Sequence, residues 1–332
     1  MVAVRGAPPP ASADGTVAQA AGAGTPSTAG SSVPPGPGRA RAQPASRDEV
    51  HVARTRFGAE AAAKRDDFFA AARGDQAFAR LGEPRAGDWL WQFKERGQTV
   101  SEYLQAGVNR KNTVRSRLHL QPYADLRPQH RPFVAAVRDH LQAFFATEVV
   151  VLPERKLAPI WYHQGRRQWD GEVAVRSLAR QVPDDSLGVL GLMGSDLYGL
   201  RLNFIFGVGL MRERAALYSL HRYDTRDERL LTRRAVKVAV HETGHVLTLK
   251  HCVFYRCVMN GSNSVAEMDA QPLHACPVCL AKLRANLRFD PRARYERLEA
   301  LYRRQGLTDE AAFVRARLRE LGAAATAAPA AR

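Results

Sequence analysis

Apolar residues recur at helical spacing from Pro128 to Phe145, where Phe133, Val134, Val137, Leu141, Phe144 and Phe145 form one stripe. Ahead of it, Ser116 to Gln121 alternates as a strand does, and behind it Glu148 to Leu152 is a short β-branched run. Residues 153–170 read as a loop and Gly171 to Arg180 as a helix. Leu187 to Leu192 is apolar in the manner of a central strand, and Asn203 to Phe206 and Leu217 to Tyr223 read as two further strands. Leu230, Leu231, Val236, Val238 and Ala239 then mark another helix. Three helical stretches follow Cys279, with Pro291 opening one and Thr308 in the N-cap position of the last. Strands interleaved with helices in this order predict an α/β fold on a mixed twisted sheet, followed by a helical C-terminal part.

Composition sets the limits of that domain. With 45% hydrophobic residues in 332, the chain can build a real core. Residues 1–47 are mostly Ala, Gly, Pro and Ser, with proline clusters at Pro8-Pro9-Pro10 and Pro34-Pro35, and they predict a disordered tail. Residues 48–84 carry helical spacing through Phe57, Phe68, Phe69 and Phe78 and predict a helical extension, residues 85–322 the main domain, and residues 323–332 an Ala-rich disordered tail. Trp89, Leu90, Trp91 and Phe93 read as core residues, with an aromatic lining of a peptide cleft as the alternative. No apolar h-region follows a basic start, and no apolar run is long enough to span a bilayer, so a cytoplasmic protein is expected.

The net charge of +16 raises the question of nucleic acid. Arg supplies 42 of the 49 basic residues, scattered along the chain without a dense run or interleaved aromatics. This reads as compositional bias, and a nucleic-acid partner is not expected.

Chemistry concentrates between His241 and Cys279, which hold all four cysteines. His241 and His245 lie four apart in His241-Glu242-Thr243-Gly244-His245, so a helix projects both from one face, where two imidazoles can hold one Zn²⁺. Glu242 lies beside the first ligand, where its carboxylate can reach a water on the metal and serve as general base. His251 is the candidate third ligand. Cys252-x4-Cys257 and Cys276-x2-Cys279 are spaced as a Cys₄ structural zinc site; two disulfides or four separate buried thiols are the rival readings, and nothing points to export. A closed Cys₄ shell leaves no position for water.

Taken together, the HExxH, the later His-Cys, Met259 and the Cys-x2-Cys resemble the archaemetzincins, a branch of the metzincin zinc peptidases, over about residues 85–320. The resemblance implies a metzincin-like mixed sheet with backing and active-site helices. It also implies catalytic zinc on His241, His245 and His251, with Glu242 as base. Met259 would be the Met-turn beneath the histidines, and a second zinc would sit on Cys252, Cys257, Cys276 and Cys279. One residue departs from the pattern: Thr248 stands where the metzincins have a Gly that turns the chain at positive φ. If the helix simply continued, His251 would face about 240° away from His245 and could not share its metal.

The expected function is hydrolysis of a peptide or protein substrate lying extended beside an edge strand near Asn203, by a monomer with two zinc ions and no membrane partner. The alternative is a non-catalytic, zinc-stabilised protein that binds an acidic partner or nucleic acid. Glu242 favours the enzyme, because a structural zinc has no use for a general base. His221 and His274 could approach a site but read as structural.

Overall fold

The computed structural model describes residues 2–4, 77–199, 202–223 and 225–327. Among the described residues nine strands form one mixed sheet. They are β1 (Val2–Val4), β2 (Arg117–Pro122), β3 (Val149–Val151), β4 (Tyr162–His163), β5 (Gln168–Asp170), β6 (Ser186–Met193), β7 (Leu197–Gly199), β8 (Leu202–Leu210) and β9 (Ala215–Ser219). The helices are α1 (Trp89–Gln92), α2 (Val100–Gln105), α3 (Pro132–Phe145), α4 (Gly171–Ala179), α5 (Glu228–Val246), α6 (Val265–Ala270), α7 (Pro277–Leu287), α8 (Pro291–Arg304) and α9 (Thr308–Ala327).

The sheet order is β3-β2-β6-β9-β8-β7-β5-β4, with β1 added on β8. β3, β2, β6 and β9 run parallel, in registers that set Leu118 opposite Val149 and Leu190 opposite Ala216. β6 is buried along its whole length, as its unbroken apolar run requires of a central parallel strand. Period-two alternation gives the sheet two apolar faces. Ala216 and Tyr218 join the core under α3 and α5, while Ala215 and Leu217 join the one under α4. This is the predicted α/β architecture, and the C-terminal helices α7, α8 and α9 complete the larger core.

β8 is antiparallel to its neighbours β9, β7 and β1. Gly207 has Tyr218 of β9 on one side and Val2 of β1 on the other; Ile205 has Leu197 of β7 on one side and Ala3 of β1 on the other. A strand has only two edges, so β9 and β7 follow one another along one of them and β1 takes the opposite one. The chain leaving β6 steps across the end of β9 to do this, where Leu220 N–H donates to Met193 O at 2.9 Å.

Several local expectations are corrected. The predicted loop 153–170 contains the β4/β5 hairpin, and β7 lies between β6 and β8; strands of two or three residues are too short to leave a period in the sequence. The strand predicted to end at Tyr223 stops at Ser219 and closes in a 3₁₀ turn at His221–Tyr223. Val2–Val4 pairs as a strand at the start of the predicted disordered tail, because its β-branched residues differ from the Ala/Gly/Pro composition that follows. Most of the helical extension, with Phe57, Phe68 and Phe69, lies outside the described residues. Beyond a 3₁₀ residue at Ala77, its described end, residues 78–84, is not helical: Arg80 bridges to Tyr255, and Gly82 and Pro84 oppose a helix. Trp89 is buried, but Trp91 is 53% exposed and is not a core residue. α9 runs through Ala327, past the expected boundary at residue 323, because alanine is the strongest helix former; residues 328–332 lie outside the described residues.

Candidate metal centre

Helix α5 starts at Asp227, whose carboxylate accepts from the N–H groups of Arg229 and Leu230 at 2.9 and 3.1 Å. From Ala235 to Val246 every side chain is buried, so His241, Glu242 and His245 lie inside the protein on a helix packed against β8 and β9. The helix ends at Val246, one residue past His245.

Its end is made by Thr248, at φ +66°. A β-branched residue is a strained occupant of this left-handed region. The backbone nevertheless closes well: Thr248 N–H donates to His245 O at 2.8 Å and Leu249 N–H to Gly244 O at 3.0 Å. The orphan carbonyls of the last turn are taken up from outside. Tyr103 Oη donates to Leu247 O at 2.9 Å, and Asn109 Nδ2 to Val246 O at 3.2 Å. Gln98 then holds the chain beyond the turn, its amide donating to Thr248 O at 3.4 Å and its oxygen accepting from Lys250 N–H at 3.3 Å.

This turn brings His251 back to the helix. Ring centroids are 4.7 Å apart for His241 and His245, 5.3 Å for His241 and His251, and 5.0 Å for His245 and His251. The three histidines each offer a nitrogen within 4.8 Å of the others. Each Nδ1 has an acceptor: Val258 O at 2.8 Å for His241, Leu249 O at 2.7 Å for His245, and Glu95 at 2.9 Å for His251. A carbonyl can only accept, so Nδ1 of His241 and His245 carries the proton and Nε2 is the free ligand atom. Those two Nε2 atoms lie 3.1 Å apart, close to the ~3.3 Å separation of nitrogens held at about 2.05 Å in a tetrahedral zinc shell. Burial holds both rings well below the ordinary histidine range, which keeps them neutral. The set therefore fits a zinc ion.

Glu95 was not legible as a site residue, since it lies far upstream and in no motif. Its carboxylate accepts from His251 Nδ1 and, at 3.0 Å, from Trp89 Nε1. Burial pushes the Glu95 carboxyl up, but the hydrogen bonds and charge of His251 and the Trp89 donor outweigh it and hold the group below its usual range. An ionised Glu95 fixes the His251 ring and raises its basicity as a ligand.

Glu242 is fully buried against β8. A Cβ on Gly207 would come within 2.7 Å of Glu242 Oε1, and one on Gly209 within 3.4 Å of Oε2 and 3.2 Å of His245 Cβ. Two glycines alternating in a strand signal such close backbone approach, and that signal was available in the sequence. Gly244 works the same way on the other side of the helix, where an added Cβ would collide with Met259 Sδ. Met259 thus lies directly beneath the helical turn that carries the two histidines.

The four cysteines are free, buried and within 4.8 Å of one another at sulfur. Cys252 Sγ and Cys276 Sγ are 3.5 Å apart, against the ~3.8 Å of thiolates held at about 2.3 Å around zinc. Cys276 caps α7 and Cys279 lies in its first turn. Asn260 closes the loop between them and the histidines: it accepts from Cys257 N–H at 2.7 Å and donates to Cys252 O at 2.7 Å and Tyr255 O at 2.9 Å. Hydrogen bonds from the other thiols hold Cys252 well below the ordinary thiol range, while burial pushes Cys257 and Cys276 up. The buried cluster can hold one thiolate on hydrogen bonds from the other thiols but not four, and a cation would let all four ionise, so this set also fits zinc. His274 stacks on Phe313 at 3.8 Å and joins neither cluster, while His221 lies in the exposed 3₁₀ turn.

Residues 172–285 match the pattern of peptidase family M54. The chain is 38% identical to the archaemetzincin of Archaeoglobus fulgidus over 151 residues, which is 91% of that protein and 46% of this one. It is 29% identical to archaemetzincin-2 of Rattus norvegicus over 153 residues, 43% of that protein and 36% of this one. The crystal structure of archaemetzincin from Methanopyrus kandleri matches at 31% identity and a TM-score of 0.48, over 99% of that chain and 54% of this one. Among the described residues no helix is long and apolar enough to cross a membrane. The chain belongs to the archaemetzincin family, peptidase family M54, and is a zinc metallopeptidase.

Proposed function

We propose that His241, His245 and His251 hold a catalytic zinc, that Glu242 is the general base, and that Cys252, Cys257, Cys276 and Cys279 hold a second, structural zinc. One observation carries this reading: three buried imidazoles, two of them on the helix that carries the buried Glu242, offer nitrogens within 4.8 Å of one another, and the turn that completes the set is strained. Protein folds store such strain where a site needs it. Zinc, when bound, supplies a Lewis acid that polarises the scissile carbonyl and acidifies a water. Glu242 takes the proton of the attacking water and passes it to the leaving amine. Its position against Gly207 keeps the carboxylate fixed while it does so. The substrate lies extended along β8, whose backbone groups bind it without demanding one sequence. Free buried thiols suit a reducing compartment such as the cytoplasm, and residues 85–322 make up the peptidase unit.

The test is Glu242→Gln in zinc-loaded protein, assayed against a peptide library. Zinc content and fold should persist while hydrolysis is lost, because a base has been removed and no ligand has. If the variant cleaves a verified substrate as fast as the native protein, Glu242 is not the base.

A further inference from the structure

The free edge of β8 already holds a strand. Val2, Ala3 and Val4 run antiparallel along it, opposite Gly207, Ile205 and Phe204. We propose that this edge is a strand-docking surface whose resident ligand is the chain's own β1, so that β1 and a substrate peptide exclude one another. The inference rests on the peptidase reading above for its functional meaning, but the docking stands on the pairing itself.

Three observations support it. The edge is single: β9 and β7 fill the other side of β8, so an incoming extended peptide has only the side that β1 occupies. The occupied register is the sensitive one, because Val2 sits opposite Gly207, whose Cα lies against Glu242. A peptide presenting a bond to Glu242 needs the same backbone groups of β8. The occupant also suits an edge: Val-Ala-Val combines β-branched and small residues without charge or proline, which is what an added strand requires. A bulge between Val2 and Ala3 breaks the regular ladder beside Gly207, so this strand is an imperfect partner that a longer peptide can outcompete.

The experiment uses the full zinc-loaded chain with Ala3→Pro and Val4→Pro together. Proline removes the amide donors of the edge strand and leaves every residue of the site in place. Three readouts follow. Amide hydrogen exchange across Phe204–Gly207 should become faster. A synthetic peptide of residues 1–6 should bind the double variant and bind native protein much more weakly. KM for a cleaved peptide should fall by about 5–10-fold with kcat unchanged, as expected if β1 covers the edge about 80–90% of the time. Unchanged exchange together with equal peptide binding by the two proteins would overturn the proposal. Absence of cleavage by either protein would count against the peptidase reading alone, since exchange and peptide binding report on docking without catalysis.

Discussion

The histidine and cysteine clusters meet at one peptide bond, between His251 and Cys252, yet they are built on different principles. The cysteine cluster draws on a short stretch of chain, two loop residues and two at the start of α7, and a single side chain, Asn260, ties its loop together. The histidine cluster takes two rings from a rigid helix and the third from a strained turn, and it is oriented from a distance. Glu95, Gln98, Tyr103 and Asn109 all reach it from the segment between β1 and β2. A site meant only to hold a fold can be compact and self-contained. A site meant to leave one metal position open cannot satisfy its ligands from within, so the surrounding protein must orient them.

The sharpest way to break this contrast is Cys276→Ser. Structural zinc sites contribute folding free energy outright, so this variant should lose cooperative unfolding near the native Tm and lose zinc from both clusters, as read by calorimetry and elemental analysis. Retention of a full complement of zinc would show that the cysteines do not hold an ion. His245→Ala should do less. It should lower zinc from about two ions per chain to about one, with a small change in Tm, and mild chelation of native protein should stop at the same level. Glu95→Gln keeps the shape but removes the charge that orients His251. Zinc affinity at the histidines should weaken by about 10–100-fold, measured by competition with a chromogenic chelator, while the cysteine ion stays bound. An unchanged affinity would reduce Glu95 to a packing role. The smallest effect, and the only gain, is expected of Thr248→Gly. Relief of about 1–3 kcal/mol of left-handed strain is offset by about 0.5–1 kcal/mol of added chain entropy. A net gain of about 1 kcal/mol corresponds to about fivefold tighter zinc binding. Weaker binding would mean that the threonine hydroxyl, which donates to Leu247 O at 2.6 Å, holds the turn more firmly than its φ strains it.

How much of this was legible follows from the range of each interaction. The two clusters are local in sequence, so spacing alone pointed to His241, His245 and the four cysteines as groups that come together, and the same spacing raised the question that Thr248 answers with φ +66°. The central strand β6 and helices α3 and α5 were legible because their burial leaves long, regular apolar patterns. Glu95 was not, because a single acidic residue held to His251 across 156 positions of sequence leaves no periodicity. β1 was hidden for a different reason: three residues cannot outweigh the composition of the segment around them, and their partner strand was itself read as ending at Phe206, before the residue that Val2 faces.

The shared peptide bond has a thermodynamic corollary. If clamping Cys252 pre-pays part of the cost of holding His251, then occupancy of the cysteines raises affinity at the histidines by some factor. Linkage requires that occupancy of the histidines raise affinity at the cysteines by the same factor, whichever ion arrives first. Loading of the two centres is then coupled, and stripping the ion from the histidines loosens the hold of the cysteines on theirs by the same factor.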